Sequence, residues 1–338
     1  METPNIFRFA RGSALNTAII GWILDFVSYG GELKGLGIEI IKKISRNEIQ
    51  KIDNIQILSM YKNISLVIEI NDDYLITIDD ITFAKNQSNI LKKRRDIISK
   101  DTKYLDRKKL FAYVHIGNKH EYGVGCDNCY VLSRDELLEM IKPYEEKNKE
   151  LLGEYVDYLN FLNEFTLKYK TEQDFCNWHR LSWEGYFNEM QDSLNESDSK
   201  WETFTSKEGD SISFEWNRKS KKYKLSTGEE IEYFVYLMIE TKLPCRYKYN
   251  YNENKPYLLF KVEVSETKYK SEIRNYVWNI INDIKDKYET DELFIEKTSH
   301  AIVTHMTLGR IEEIKTKEKL EACVDIAEKI ISDLDKLI

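Results

Sequence analysis

The sequence predicts a mixed α/β fold for the first half of the chain, and three observations lead to this prediction. Apolar residues between positions 15 and 29 recur at spacings of three and four, which is the period of an amphipathic helix. Three runs rich in Ile, Val, Leu and Tyr then follow close together, as strands of one sheet do. The full order is helix, helix, three strands, helix, strand, strand, helix, which is typical of a sheet flanked by helices.

The first helix is predicted over positions 15–29, and Gly30-Gly31 ends it. Its apolar side consists of Ala18, Ile19, Trp22, Ile23 and Phe26. A second helix follows over about 32–44. We predict strands at 56–61, 64–70 and 74–81, of which the last two form a hairpin, because Asn71, Asp72 and Asp73 provide a turn between them.

A basic helix is predicted over 87–99 and a strand over 110–116. The residues Ser133 to Glu136 have the pattern of a capping box, which predicts a helix N-terminus at this point. Two aromatic-rich helical patterns fill 151–190, and a C-terminal α/β region follows. The predicted domains are therefore a core at 1–148, a helical connector at 149–192 and an α/β region at 193–338.

Composition limits the classes of function. The chain of 338 residues has 50 basic and 58 acidic residues, a net charge of −8, so a nucleic-acid site must be a local patch rather than a cationic body. Five cysteines, an odd number, and the absence of a secretory signal pattern favour the cytoplasm. The apolar stretch 18–27 is interrupted by Asp25 and is too short to span a bilayer, so no membrane partner is expected.

Several short motifs follow one another along the N-terminal half of the chain. The opening helix region carries Asn5, Ile6, Phe7, Ala10, Ala18, Trp22, Ile23 and Leu24. Strand motifs at 64–68 and 78–81 and a helix motif at 86–91 follow. With these residues, roughly the first 145 positions resemble a divergent member of the PD-(D/E)XK nuclease superfamily, from a group found in bacteria and phages. The resemblance implies a restriction-endonuclease-like core, a helical connector and a C-terminal α/β extension.

The resemblance also implies a metal site, but this chain has changed most of its residues. The family's helix glutamate, helix aspartate, strand aspartate, next strand's glutamate and lysine fall, in that order, on Ser13, Thr17, Ser65, Asp79 and Ile81. Only Asp79 keeps a side chain that binds metal. Mg²⁺ normally needs more than one protein carboxylate, and strand alternation places Asp80 on the opposite side from Asp79. The sequence therefore predicts a catalytically degenerate nuclease-like protein, a pseudoenzyme.

An alternative prediction keeps catalysis. Glu69 lies on the same strand face as Ser65, so it could bind Mg²⁺ together with Asp79. In this rebuilt site, Lys92 or Lys93 of the next helix would replace the lost lysine. The protein would then be an active Mg²⁺-dependent endonuclease; otherwise no cofactor is expected.

A second metal hypothesis concerns the region after the fourth strand. His115, His120, Cys126 and Cys129 are residue types that can hold tetrahedral Zn²⁺, although their spacing is unusual. The alternative is a glycine-containing loop with incidental histidines and cysteines.

Two basic clusters are candidates for phosphate contacts. The first is Lys92, Lys93, Arg94 and Arg95, and the second is Arg218, Lys219, Lys221 and Lys222. Both could instead be solvated surface. Positions 246–251 alternate basic or polar with aromatic residues, which indicates either a stacking platform or a half-buried strand.

The predicted function follows from the degenerate motif and the resemblance. We expect a protein that binds nucleic acid or a protein partner, and the resemblance implies a role in phage defence or counter-defence. The alternatives are the active endonuclease and a subunit that uses the fold as a scaffold for assembly. The sequence leaves the oligomeric state open.

Overall fold

The computed structural model describes residues 14–80, 82, 87–118, 129–194, 199–206, 209–225, 227–242, 256–288, 295–298 and 304–338. The chain divides into two compact units, 1–164 and 165–338. The described residues contain no helix that is long and apolar enough to cross a membrane.

The N-terminal unit is an α/β structure built on a mixed five-stranded sheet, in agreement with the predicted class. Its elements are α1 (Ala14–Tyr29), α2 (Lys34–Ile44), β1 (Ile55–Tyr61), β2 (Ile64–Ile70), β3 (Tyr74–Asp80), α3 (Gln87–Ser99), β4 (Lys108–His115), β5 (Cys129–Ser133), α4 (Arg134–Ile141) and α5 (Glu154–Leu167). The strands lie in the order β1-β2-β3-β4-β5. The first three are antiparallel, whereas β4 is parallel to β3 and β5 is parallel to β4.

The connections explain these strand directions. Two residues, Lys62 and Asn63, join β1 to β2, and both have positive φ (50° and 67°) as a tight hairpin turn of mirror-image type requires. A parallel neighbour cannot be reached by such a turn, so the chain crosses from β3 to β4 through α3.

Strands β2 and β3 are buried along most of their length because both faces of the sheet are covered. On one face, Val67 and Leu75 pack with Ile98 of α3 and with Tyr104. On the other face α1 approaches closely, since a Cβ added at Gly21 would lie 3.0 Å from a methyl of Leu66. Alternate residues of the central strands therefore point either towards α3 or towards α1.

The predicted capping box is confirmed. Ser133 Oγ accepts a hydrogen bond from the Glu136 amide, and the Glu136 carboxylate accepts one from the Ser133 amide at 3.2 Å, at the N-terminus of α4.

The C-terminal unit contains a six-stranded antiparallel sheet in the order β10-β11-β9-β8-β7-β6. Its elements are α6 (Arg180–Leu194), β6 (Lys200–Ser206), β7 (Gly209–Lys224), β8 (Glu230–Lys242), β9 (Pro256–Glu263), α7 (Lys270–Lys285), β10 (Ile295–Lys297), β11 (His305–Ile311) and α8 (Lys317–Leu337). The residues Leu320, Cys323, Ala327, Ile330 and Leu334 of α8 form a buried apolar stripe, as their helical spacing indicates.

The boundary of the two compact units falls within the connector predicted at 149–192. Tyr155 of α5 hydrogen-bonds to Asn16 in the N-terminal unit. Phe175, Trp178 and Trp183 belong instead to the core beneath the C-terminal sheet. The aromatic side chains are core residues, as expected, but they belong to two cores. The predicted strand at 246–251 lies outside the described residues.

Candidate functional site

Asp79 is the acidic residue of the motif that the sequence predicts to be degenerate, and it lies near the end of β3 with 3% of its surface exposed. Its Oδ1 accepts hydrogen bonds from the amide and from the hydroxyl of Ser65, at 2.9 and 3.0 Å. The Arg94 guanidinium of α3 approaches the same oxygen, with Nη1 at 2.5 Å. The Asp79 carboxylate thus accepts hydrogen bonds from a serine and forms an ion pair with an arginine.

The environment of Asp79 acts on its pKa in two directions. Burial raises the pKa of Asp79 above its ordinary value, and this effect exceeds the lowering caused by the Ser65 hydrogen bonds and the Arg94 charge. The ion pair with Arg94 therefore offsets only part of the free energy that burial of the charged form costs.

Asp80 points to the opposite layer, as strand alternation predicts. Its Oδ2 accepts a hydrogen bond from Asn16 of α1 at 2.5 Å, and its Oδ1 accepts one from the Thr82 amide at 2.9 Å. The Tyr155 hydroxyl of α5 donates in turn to Asn16 Oδ1 at 3.0 Å. Burial raises the pKa of Asp80. Asp80 thus links α1 to the end of β3 directly and links α5 to it through Asn16. Its side chain points away from Asp79.

Glu69 belongs to a third group of contacts, between β2 and the chain that follows α3. Its Oε1 accepts hydrogen bonds from Lys103 Nζ at 2.6 Å and from the Tyr104 hydroxyl at 2.7 Å, while Arg107 Nη1 lies 3.0 Å from Oε2. Burial raises the pKa of Glu69, but the hydrogen bonds from Lys103 and Tyr104 and the nearby positive charges outweigh it, so the pKa is lowered. Burial raises the pKa of Tyr104 to about 12.

The structure does not bring Glu69 and Asp79 together, although both point towards α3. The register pairs Glu69 with Leu75, which lies four residues before Asp79, so the two acidic residues are about 13 Å apart along the strands. One Mg²⁺ ion with ligands at about 2.1 Å cannot bind both carboxylates. This geometry argues against the rebuilt catalytic site.

The other residues of that hypothesis are also placed differently. Lys92 and Lys93 are exposed on α3, and the cation that reaches Asp79 is Arg94. Thr17 is buried on α1, while Ser13 and Ile81 lie outside the described residues. Across the part of the chain that the structure describes, no group of three His, Cys, Asp or Glu residues is placed to hold a metal ion.

The proposed zinc residues fall partly outside the described chain. His115 is buried at the end of β4, and Cys129 begins β5 and is disulfide-bonded. A cysteine in a disulfide has no thiolate to donate to zinc. His120 and Cys126 lie outside the described residues. Zinc binding by these four residues therefore remains a hypothesis from the sequence. It requires that the disulfide of Cys129 be reduced.

The strongest charge feature of the N-terminal unit is the segment 92–109, which has nine basic and three acidic residues in a chain of net charge −8. Several of these cations are engaged: Arg94 pairs with Asp79, Lys103 and Arg107 pair with Glu69, Lys108 pairs with Glu48, and Arg95 lies over the Phe111 ring. Lys92, Lys93 and Lys100 are exposed and form no ion pair with any described residue. These three lysines are named here the α3 basic surface.

Helical geometry places the three lysines on one side. At 100° per residue, Lys92, Lys100 and Lys93 project within an arc of about 100°. Lys92 and Lys100 are eight residues apart, which corresponds to about 12 Å along the helix axis. The exposed Asp96, four residues from both Lys92 and Lys100, projects within the same arc, although no ion pair joins it to these lysines among the described residues.

The second basic cluster has a different environment, because its arginine is held within the C-terminal unit. The Arg218 guanidinium lies over the rings of Phe234 at 4.4 Å and Tyr236 at 5.4 Å. It also forms an ion pair with Glu263. Arg218 is therefore a structural cation rather than a free phosphate ligand.

Two lysines of the same cluster also have carboxylate partners. Lys221 Nζ lies 2.6 Å from Asp335, and Lys222 Nζ lies 3.0 Å from Glu230. Lys219 is exposed. Three of the four cations of this cluster therefore have ion-pair partners, whereas the lysines of the α3 basic surface have none among the described residues.

Sequence reasoning assigned Arg94 to a basic cluster and missed its pairing with Asp79. A signal was present in the spacing, because Arg94 lies three residues after Leu91 and four before the buried Ile98. A charged residue on the apolar side of a helix needs a buried partner.

Comparisons of the chain with protein-family models, with curated proteins and with solved structures find no match.

Proposed function

We propose that this protein is a catalytically inactive, nuclease-like protein that binds the phosphate backbone of nucleic acid through the α3 basic surface. The observation that carries the proposal is the contact of Arg94 with Asp79, because a guanidinium stands where a metal-dependent nuclease needs a metal ion.

The element order of the N-terminal unit supports the nuclease-like part of the proposal. Two helices, three antiparallel strands, a crossover helix and two parallel strands follow one another, and Asp79 lies near the end of the third strand. This order is compatible with the PD-(D/E)XK core that the motif resemblance implies. The same proposal includes the biological role that the resemblance implies, which is phage defence or counter-defence.

The chemistry of the pair supports inactivity. A metal ion in such a site polarises the phosphate and lowers the pKa of bound water, and a guanidinium supplies neither effect. A divalent ion at Asp79 would have to displace Arg94 and would then have one carboxylate as its ligand there. Mg²⁺ sites normally combine carboxylates with substrate oxygens in near-octahedral geometry. A single carboxylate beside an arginine differs from such a set of ligands.

The free charge of the α3 basic surface supports binding. Lysines that neutralise phosphates release counter-ions, so the logarithm of the binding constant falls with the logarithm of salt concentration at about −0.9 per phosphate on duplex DNA. Three lysines without ion pairs among the described residues would give a slope of about −3. Contacts of this type carry no sequence information, so the binding is expected to be independent of sequence.

The test is fluorescence anisotropy with labelled duplex and single-stranded DNA and RNA at several salt concentrations. The variant Lys92→Glu/Lys93→Glu/Lys100→Glu should lose at least tenfold in affinity at low salt. The matched control is Lys219→Glu/Lys221→Glu/Lys222→Glu, which makes the same change of charge in the C-terminal cluster. Binding that is absent at low salt, or that both variants weaken equally, would contradict the proposal.

A further inference from the structure

The six-stranded sheet of the C-terminal unit has one face in the hydrophobic core and one face of different character. Phe214, Leu237 and Phe260 lie on the first face and pack in the core with residues of α7 and α8. Strand alternation places the residues between them on the second face. We name as the polar face its residues Ser213 of β7, Met238 and Glu240 of β8, and Leu259 and Lys261 of β9.

At one end of the polar face, two neighbouring polar side chains have no hydrogen-bond partner among the described residues. The register places Ser213 beside Glu240. Ser213 is 1% exposed, and its buried Oγ forms no hydrogen bond with any described residue. Glu240 is half-buried and forms no hydrogen bond or ion pair in the described part of the chain. Because such groups are normally satisfied, the two oxygens indicate a ligand that donates hydrogen bonds.

The other end of the polar face carries a cation. Lys261 Nζ donates a hydrogen bond to Thr307 Oγ1 of its cross-strand neighbour at 3.1 Å, and it forms no ion pair with a described residue. Burial lowers the pKa of Lys261, and this effect exceeds the influence of the nearby carboxylates. A half-buried ammonium with one neutral partner is suited to an anionic group, because a charge-assisted hydrogen bond is the stronger kind.

The two ends are separated by an apolar strip of defined length. Met238 and Leu259 are cross-strand partners and lie between them. Glu240 pairs with Tyr257, and Lys261, four residues further along β9, pairs with Tyr236. Four residues of an antiparallel strand correspond to about 13 Å. The polar face therefore fits a ligand with hydrogen-bond donors at one end, an aliphatic middle and an anion at the other end.

We propose that the polar face binds the C-terminal arginine of a peptide or protein partner. The guanidinium donates hydrogen bonds to Glu240 and Ser213, the methylene groups lie on Met238 and Leu259, and the terminal carboxylate accepts a hydrogen bond from Lys261. An extended arginine measures about 8 Å from its guanidinium nitrogens to its carboxylate oxygens. Charge-assisted hydrogen bonds of about 2.8 Å at both ends bring the span close to the length of the polar face.

The chemistry of the two ends selects this ligand. A guanidinium has five donors in a fixed fork, so it can serve a carboxylate and a hydroxyl at once. A free amino acid would place its own ammonium group beside Lys261, where the two like charges repel each other. In a peptide, the nitrogen of the last residue is an uncharged amide, which favours a chain terminus over free arginine. The inference is independent of the proposed function, because its residues all belong to the C-terminal unit.

Fluorescence anisotropy of the full chain with labelled peptides tests this inference. The probe is Gly-Ser-Gly-Arg with a free carboxylate. One comparison peptide has an amidated C-terminus, and another has citrulline, the uncharged isostere, in place of arginine. Each comparison peptide should bind the wild type about tenfold more weakly or worse, because a hydrogen bond to a charged group is lost at one end.

Two variants assign the two ends. Glu240→Gln should remove the preference for arginine over citrulline, and Lys261→Met should remove the preference for the free carboxylate over the amide. A residue with a structural role alone would weaken all three peptides equally. The control Glu232→Gln changes an exposed carboxylate of the same strand β8 and should preserve both preferences.

The wild type alone decides the inference if a variant fails to fold, which circular dichroism shows. Absence of binding to the free-carboxylate peptide, or equal binding of all three peptides by the wild type, would overturn it. Folded Glu240→Gln and Lys261→Met variants that keep the preferences of the wild type would do the same.

Discussion

Arg94 Nη1 lies 2.5 Å from Asp79 Oδ1, and this contact joins α3 to the end of β3. Asp79 is almost fully buried, whereas the Arg94 side chain is 28% exposed. The arginine thus reaches from the surface to a carboxylate that would otherwise be an unpaired charge in the interior. In the proposed function, the same contact that stabilises the N-terminal unit also keeps a metal ion away from Asp79.

Removal of the arginine is predicted to destabilise the protein. Arg94→Ala leaves the Asp79 charge without its cation, and loss of one partner of a buried pair costs about 3 kcal/mol or more. Asp79→Asn removes the charge that needs the cation, so Arg94→Ala should cost much less in that background. Urea denaturation of both single variants and the double variant measures the difference. An equal cost in both backgrounds would show that the two residues are not coupled.

The pH dependence of stability should show the raised pKa of Asp80. Because burial raises its pKa above the ordinary value of 3.8, the folded state binds the proton more tightly than the unfolded state. This contribution is fully present below pH 3.8 and is lost as pH rises through the folded pKa. The free energy of unfolding of the wild type, relative to Asp80→Asn, should therefore fall as pH rises through that window. A constant difference would contradict the assignment.

Glu69 should show the opposite sign. Its pKa is lowered below the ordinary value of 4.5, because the contacts with Lys103 and Tyr104 outweigh burial. The stabilisation is present above pH 4.5 and is lost as pH falls through the folded pKa. Relative to Glu69→Gln, the wild type should lose stability on acidification. Denaturation curves across this range check the sign, and a difference that grows on acidification would refute it.

The number of lysines in contact with phosphate can be counted from the salt dependence. Replacement of Lys92, Lys93 and Lys100 by alanine should reduce the steepness of the salt slope by about three on duplex DNA. Alanine in place of Lys219, Lys221 and Lys222 should leave it unchanged. A slope that remains the same after the first replacement would place the phosphate contacts elsewhere.

Local sequence patterns were sufficient for much of the fold. The α1 period and the Ser133 capping box each depend on residues a few positions apart, so their geometry is set by helix or turn chemistry alone. Strand β6 was not predicted from the sequence. Its exposed Glu202 and Thr203 lack the apolar character by which the other strands were identified.

The site was predicted less well than the fold, for a physical reason. Strand alternation separated Asp79 from Asp80 correctly, because it is a local property. The partner of each carboxylate depends on how helices cross the sheet: Asp80 meets Asn16, which is 64 positions away, and Glu69 meets Lys103, 34 positions away. A single sequence contains no local pattern that reveals contacts between residues so far apart along the chain.

Incubation of the pure protein with single- and double-stranded DNA and RNA, in Mg²⁺ and in Mn²⁺, tests the central claim most directly. The controls are Asp79→Ala and EDTA. The account predicts no cleavage of any substrate, because Arg94 occupies the single carboxylate that remains. Cleavage that both EDTA and Asp79→Ala abolish would contradict it and would show that this site binds a catalytic metal.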